Sequence, residues 1–180
     1  MMNFIKDMGF LFINYFLNYI PSRKIRMIMY YLISNKRISY KSTIGIGVKI
    51  LNIKNVYIED YVNINYGSIL DGRGAKIVIS ANTDIAPQVN IWTLQHDTES
   101  SSHMSQANSV YLGYGCWIGN RAIILPGSKL SKYTVIGAGS TFKGISDEQD
   151  IYVSGKNRLL TKKKAILETS FKLSGIRRFR

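Results

Sequence analysis

The chain has 180 residues, 46% of them hydrophobic, which fits one soluble folded domain and excludes a disordered or fibrous class. Its 24 Lys and Arg outweigh 11 Asp and Glu, and the net charge of +13 predicts attraction to anionic partners such as phosphates, acidic glycans or lipid surfaces. The single Cys116 excludes an internal disulfide and suits a reducing compartment.

Residues 1 to 40 mix aromatic and aliphatic side chains with cations, and Pro21 divides them into two short predicted helices. The apolar run from Met8 to Ile20 is interrupted by Asn14 and Asn18 and is shorter than the roughly 20 residues that span a bilayer. A secretory signal is not expected either, because no charged leader and clean apolar core run into a small-residue cleavage site. Two compatible roles remain for this segment: a helical cap on the structure that follows, or an amphipathic contact lying on the inner membrane.

Residues 41 to 155 carry a beat of six. An aliphatic residue recurs at Leu112, Ile118, Ile124, Leu130 and Ile136, and again at Ile58, Ile64 and Leu70 and at Ile79, Ile85 and Ile91. A period of six fits neither an α-helix nor simple strand alternation; it predicts a mainly β domain of stacked short strands around one core, a parallel β-helix. The residue after the aliphatic is Gly at 113, 119 and 137, read as permitting sharp corners. The fifth residue is Cys116, Ala122, Ser128, Thr134 or Ser140. These small residues suit a narrow prism, so Cys116 reads as core rather than nucleophile.

The beat breaks twice, at Asp71-Gly72-Arg73-Gly74 and in an insert over residues 92 to 109 that holds both histidines. Such inserts usually serve function. His96 adjoins the last in-phase strand and should be held by it, whereas His103 lies among serines and is expected to be mobile. Neutral imidazole suits a general base near neutrality. After residue 156 the beat is lost again, and a short C-terminal helix over residues 161 to 173 with a basic tail is expected to cap the far end. Its cations lack the aromatic interleaving of a nucleic-acid site, and no nucleic-acid partner is expected.

The segments IWTLQHD from Ile91, CWIGNRAIILPGSKL from Cys116 and VIGAGS from Val135 resemble the left-handed parallel β-helix acyltransferases. Within that family the chain is most similar to sugar O-acetyltransferases of capsule, exopolysaccharide and O-antigen clusters, and the resemblance covers residues 40 to 160. It implies a cytoplasmic homotrimer, in peripheral contact with the inner membrane if the N-terminal segment docks there. The enzyme would move an acetyl group from acetyl-CoA to a saccharide hydroxyl, with His96 as base. Either Asp97 or a backbone carbonyl would orient the ring. The Asn120 amide would face the thioester oxygen, and Trp117 would line the pantetheine arm or the acceptor, or fill a subunit interface. Ala138 would border the CoA groove, with Lys143 and Arg158 near its phosphates. Asn65 and Asp71 would meet the saccharide, unless corner asparagines serve only the turn backbone.

Two departures from the family pattern are Thr141-Phe142-Lys143-Gly144 after the last repeat and Asn157 in place of a proline. Two alternatives stay open: N-acetylation of a nucleotide-linked amino sugar, and a non-catalytic scaffold with basic ends. A carbonic anhydrase on this fold needs three zinc histidines, and the chain has two histidines in all. Neither Gly72-Arg73-Gly74 nor Gly137-Ala138-Gly139 leads from a strand into a helix, so neither is a dinucleotide fingerprint.

Overall fold

Asn14 and Asn18, which interrupt the first apolar run, turn out to hold it in place. The computed structural model describes residues 2–97, 101–153 and 158–162. Helix α1 (Met2–Leu11) continues through a π-helical turn, Phe12–Phe16, and a 3-10 turn, Leu17–Tyr19, and ends before Pro21. Helix α2 (Arg23–Ile33) starts behind Ser22, whose hydroxyl accepts from the Ile25 N–H. Asn14 accepts from the Ile50 N–H at 2.8 Å and donates back to the Ile50 carbonyl at 3.2 Å. Asn18 donates to the Val48 carbonyl, and Arg26 donates to the Ile44 carbonyl through Nε and Nη2, at 3.1 and 2.9 Å. These backbone groups sit on the open edge of the first coil, where no coil lies below to pair them, and the cap supplies their partners. Arg26 is buried, and burial pushes its pKa down.

The strands follow in order: β1 (Thr43–Ile44), β2 (Lys49–Leu51), β3 (Val56–Ile58), β4 (Asn63–Ile64), β5 (Ile69–Asp71), β6 (Ile77–Ile79), β7 (Asp84–Ile85), β8 (Asn90–Trp92), β9 (Leu94–His96), β10 (Ser105–Ala107), β11 (Val110–Leu112), β12 (Trp117–Ile118), β13 (Ile123–Ile124), β14 (Lys129–Leu130), β15 (Val135–Ile136), β16 (Thr141–Phe142), β17 (Asp150–Val153) and β18 (Arg158–Lys162). All but β9 and β10 form three sheets that make the walls of a prism. Sheet 1 runs β14-β11-β6-β3, sheet 2 runs β1-β4-β7-β12-β15-β17-β18, and sheet 3 runs β16-β13-β8-β5-β2. Pairing between coils is parallel and in register, as in Ile64 to Ile85 to Ile118 to Ile136 along sheet 2.

The residues of the beat point inward as the sequence predicts. Ile64, Ile85, Ile118 and Ile124 have no exposure, and the fifth-position residues from Cys116 to Ser140 are buried beside them. Each full burial of such an aliphatic is worth about 1.5–3 kcal/mol relative to exposure. The glycines after the aliphatics work differently from the expectation. Gly119 has no positive φ; a Cβ there would lie 2.5 Å from the Ala138 nitrogen of the next coil. Close approach between coils, rather than a left-handed turn, demands glycine at that position. The left-handed residues come two places later, among them Gly139, Arg121 and Tyr133.

Two further expectations are corrected. The insert over residues 92 to 109, expected as a loop, contains two strands, and β9 and β10 pair in an antiparallel hairpin. At the other end, Thr161 and Lys162 do not begin a helix: they belong to β18, which pairs antiparallel with β17. The rest of the expected C-terminal helix lies outside the described residues.

Candidate functional site

Each coil passes from sheet 1 to sheet 2 to sheet 3, so sheet 3 is bounded by two edges. The first edge is the corner between sheets 2 and 3, and the second is the corner between sheets 3 and 1. The residues singled out in the sequence divide between these two edges.

On the first edge, successive coils stack Tyr66, Pro87, Asn120 and Ala138 at one corner position, following the aligned residues Ile64, Ile85, Ile118 and Ile136. The flanking amides are used by the coil ladder: Gly119 donates to the Ile136 carbonyl at 2.7 Å, Arg121 to the Pro87 carbonyl at 3.0 Å and Gly139 to the Asn120 carbonyl at 2.7 Å. The Asn120 and Ala138 amides between them meet no acceptor among the described residues. The Asn120 side chain donates to the Pro87 carbonyl at 2.8 Å, which fixes the corner. Asn65 uses its side-chain amide in the same way, on the Ile85 carbonyl at 2.9 Å.

Trp117 stands on the outer face of sheet 2 beside this edge, 51% exposed, in register with Asp84 and Val135. Asp84 accepts from Asn63 Nδ2 at 2.8 Å. The backbone of Arg158 reaches the same end of sheet 2, paired with Val153, and Val153 abuts Gly137. Asn65, Trp117, Asn120, Ala138 and Arg158 are thus brought to one edge of the prism. Lys143 is not; it follows β16, at the second edge.

His96 projects from the second edge on the hairpin and is exposed. Its Nδ1 lies 2.8 Å from the His103 carbonyl oxygen. A carbonyl can only accept, so in the neutral ring Nδ1 carries the proton and donates, leaving Nε2 with its lone pair toward solvent. His103 therefore contributes its backbone: it is left-handed at φ 52°, and its ring stands edge-on to His96 at 6.4 Å. Of the two orienting groups weighed from the sequence, the structure has the carbonyl in that place. Asp97 instead pins the hairpin through its N–H, which donates to the Met104 carbonyl at 2.8 Å.

The hairpin rests on the other break in the beat. Buried Thr93 donates through Oγ1 to the Asp71 carbonyl at 2.6 Å and accepts from the Ala75 N–H at 3.1 Å. Gly74 lets the two segments meet, since a Cβ there would lie 2.8 Å from the Thr93 oxygen and 2.9 Å from the Ala107 Cβ. Asp71 is fully buried, and Arg73 holds its carboxylate with two side-chain bonds, Nε to Oδ1 at 2.9 Å and Nη2 to Oδ2 at 2.8 Å. The hydrogen bond to Asp71 raises the Arg73 pKa further above its ordinary value. Arg73, with its side chain 57% exposed, is what this turn offers a ligand. The sequence marked the turn through its broken phase but gave no reason to prefer the arginine to the aspartate.

Both edges therefore carry functional groups, and sheet 3 lies between them. Its outward residues Ile69, Asn90, Ile123 and Thr141 are half-buried and uncharged, whereas Lys49, in register with them on the end strand β2, is exposed. A separate groove of about 900 Å³ lies on sheet 1 under the cap and includes none of the candidate site residues.

No family model matches the chain. A Saccharomyces cerevisiae protein named as a candidate acetyltransferase is 40% identical over 90 residues, 48% of this chain and 45% of its own length, so the match spans about half of each. Among solved structures, a galactoside acetyltransferase in complex with coenzyme A superposes with a TM-score of 0.78 at 19% identity, over 88% of this chain and 80% of that one. A hexapeptide-repeat acetyltransferase of Vibrio cholerae, complexed with acetyl-CoA, gives 0.74 at 19% identity, over 85% and 84%. These superpositions establish the fold as the hexapeptide-repeat, left-handed parallel β-helix.

Proposed function

We propose that the chain is an acetyl-CoA-dependent O-acetyltransferase that modifies a hydroxyl of a saccharide destined for a cell-surface polysaccharide. The observation that carries this reading is His96, whose Nδ1 proton is committed to the His103 carbonyl so that Nε2 is left as a base. The acceptor hydroxyl gives its proton to Nε2 as its oxygen attacks the thioester carbonyl carbon. The Asn120 N–H, which has no acceptor in the coil ladder, faces the negative charge that builds on the carbonyl oxygen. As the C–S bond breaks, the imidazolium returns the proton to the departing sulfur.

The donor fits the first edge. The free amides of Asn120 and Ala138 follow one another along the coils, exposed Trp117 flanks them, and Arg158 ends the row. An extended pantetheine arm needs such amides, and an arginine suits its terminal phosphates. When bound, acetyl-CoA supplies the activated acyl group. The acceptor would enter from the second edge, past His96 and Arg73.

Sheet 3 separates the base from the donor groove within one chain. Three copies arranged with sheet 3 toward a common three-fold axis would bring the second edge of each against the first edge of its neighbour. Apart from Lys49 on its end strand, the outer face of sheet 3 carries the uncharged Ile69, Asn90, Ile123 and Thr141, which suit that burial. The site is then completed between subunits, and light scattering giving a monomer would contradict it. The activity itself is tested by thiol release from acetyl-CoA in the presence of surface glycans. Acceptor-dependent release should vanish in His96→Ala, an exposed position whose loss leaves the fold intact; near wild-type release would sink the reading.

A further inference from the structure

The outer face of the N-terminal cap is apolar and, among the described residues, has no partner. In α2, Met27 and Tyr30 pack on the first coil, yet Ile25, Ile28 and Leu32 form a second apolar stripe on the opposite side, with Leu32 63% exposed. The preceding segment adds Phe12, Phe16 and Tyr19, with Phe16 68% exposed. The cap binds the edge carbonyls of Ile44, Val48 and Ile50, which project along the prism axis. Its other side therefore looks down that axis, away from the coils. A contiguous apolar face of this kind on a soluble domain marks an interaction surface.

The charges around it select the partner. No Asp or Glu occurs between Asp7 and Glu59, while Arg23, Lys24, Lys36 and Arg37 lie at the two ends of α2. A second copy docking face to face would set these cations against their own kind without a carboxylate in the stretch to offset them. An anionic bilayer offers the complementary charge, and phenylalanine and tyrosine suit the depth of the headgroup boundary. Among the described residues no helix is long and apolar enough to cross a membrane.

We propose that the outer face of the cap, carrying Phe12, Phe16, Ile28 and Leu32 and rimmed by Arg23, Lys24 and Lys36, docks on an anionic lipid surface and lies in its interface. In a trimer with parallel coils, all three caps face the same plane, so weak single contacts add as one multivalent one. The proposal does not rest on the acyl transfer and stands or fails separately from it.

The test is flotation of the full chain with phosphatidylcholine vesicles that contain or lack about a third phosphatidylglycerol, and it expects binding to the anionic vesicles alone. Each basic side chain near such a surface is worth roughly fivefold in affinity, so Arg23→Gln with Lys24→Gln should weaken binding about 25-fold. Phe16→Ser with Leu32→Ser should weaken it at least tenfold. Circular dichroism and thiol release should be unchanged in both double variants. Absence of binding by the native chain, or equal binding by the variants, overturns the proposal. So does a lipid-free loss of oligomeric state in Phe16→Ser with Leu32→Ser, which would assign the face to another copy of the chain.

Discussion

Replacing Asn120 by proline removes its N–H and leaves the backbone path unchanged, because the structure already holds a proline at the equivalent corner one coil earlier. Pro87 follows Ala86 as Asn120 follows Gly119, and the next residues, Gln88 and Arg121, share left-handed φ values of 61° and 58°. The Asn120 N–H serves no coil hydrogen bond, so its loss leaves the ladder complete. The side-chain bond to the Pro87 carbonyl is lost as well, at a cost of about 1 kcal/mol. Asn120→Ala loses that same bond and keeps the N–H, and is the control. If the amide faces the developing oxyanion, Asn120→Pro should lower kcat by about 10²–10³, or roughly 2.7–4 kcal/mol of transition-state stabilisation. Asn120→Ala should stay within about tenfold of wild type, and the two melting temperatures should agree closely. Acceptor-dependent thiol release measures both rates. Equal losses in the two variants would refute the role of the amide.

Gly74→Ala should force the hairpin off the turn beneath it, since the new Cβ meets the Thr93 oxygen at 2.8 Å. A stability loss of about 1–3 kcal/mol and a fall in kcat of up to about 10² are expected, read by thermal melting and thiol release; an unchanged kcat would mean that His96 does not depend on this seat. Asn14→Ala should lower stability by about 2–5 kcal/mol in denaturant titration, because it strands the buried N–H and carbonyl of Ile50. Phe16→Ser, on the exposed side of the same segment, should cost less than about 0.5 kcal/mol.

The prism was legible in the sequence because each coil repeats one demand, a large aliphatic and then a small residue, and residues such as Ile118 and Cys116 answer it wherever they occur. The hairpin was not. Leu94-Gln95-His96 and Ser105-Gln106-Ala107 have no buried face, so no alternation reveals a strand whose pairing comes from the backbone alone. β18 escaped for a related reason: its extended state follows from pairing with β17, a partner the sequence does not announce. At the site, His96 could be picked out as the histidine seated at the end of a rigid strand. The carbonyl that sets its tautomer comes from His103, and only the folded hairpin brings the two together. Arg73 was hidden by its adjacency to Asp71; burial of the carboxylate decides which of them faces outward.

The central claim is that the base and the oxyanion donor come from opposite edges of sheet 3 and meet only between subunits. Co-assembly of His96→Ala and Asn120→Pro chains at equal levels tests it most directly. Neither variant alone should be active. With random assembly about one site in four across all trimers, or about one in three within each mixed trimer, pairs an intact His96 with an intact Asn120 of the neighbouring copy, so thiol release should recover to about a quarter of the wild-type rate. Release that stays at the level of the parent variants, from trimers shown to be mixed, would contradict the account.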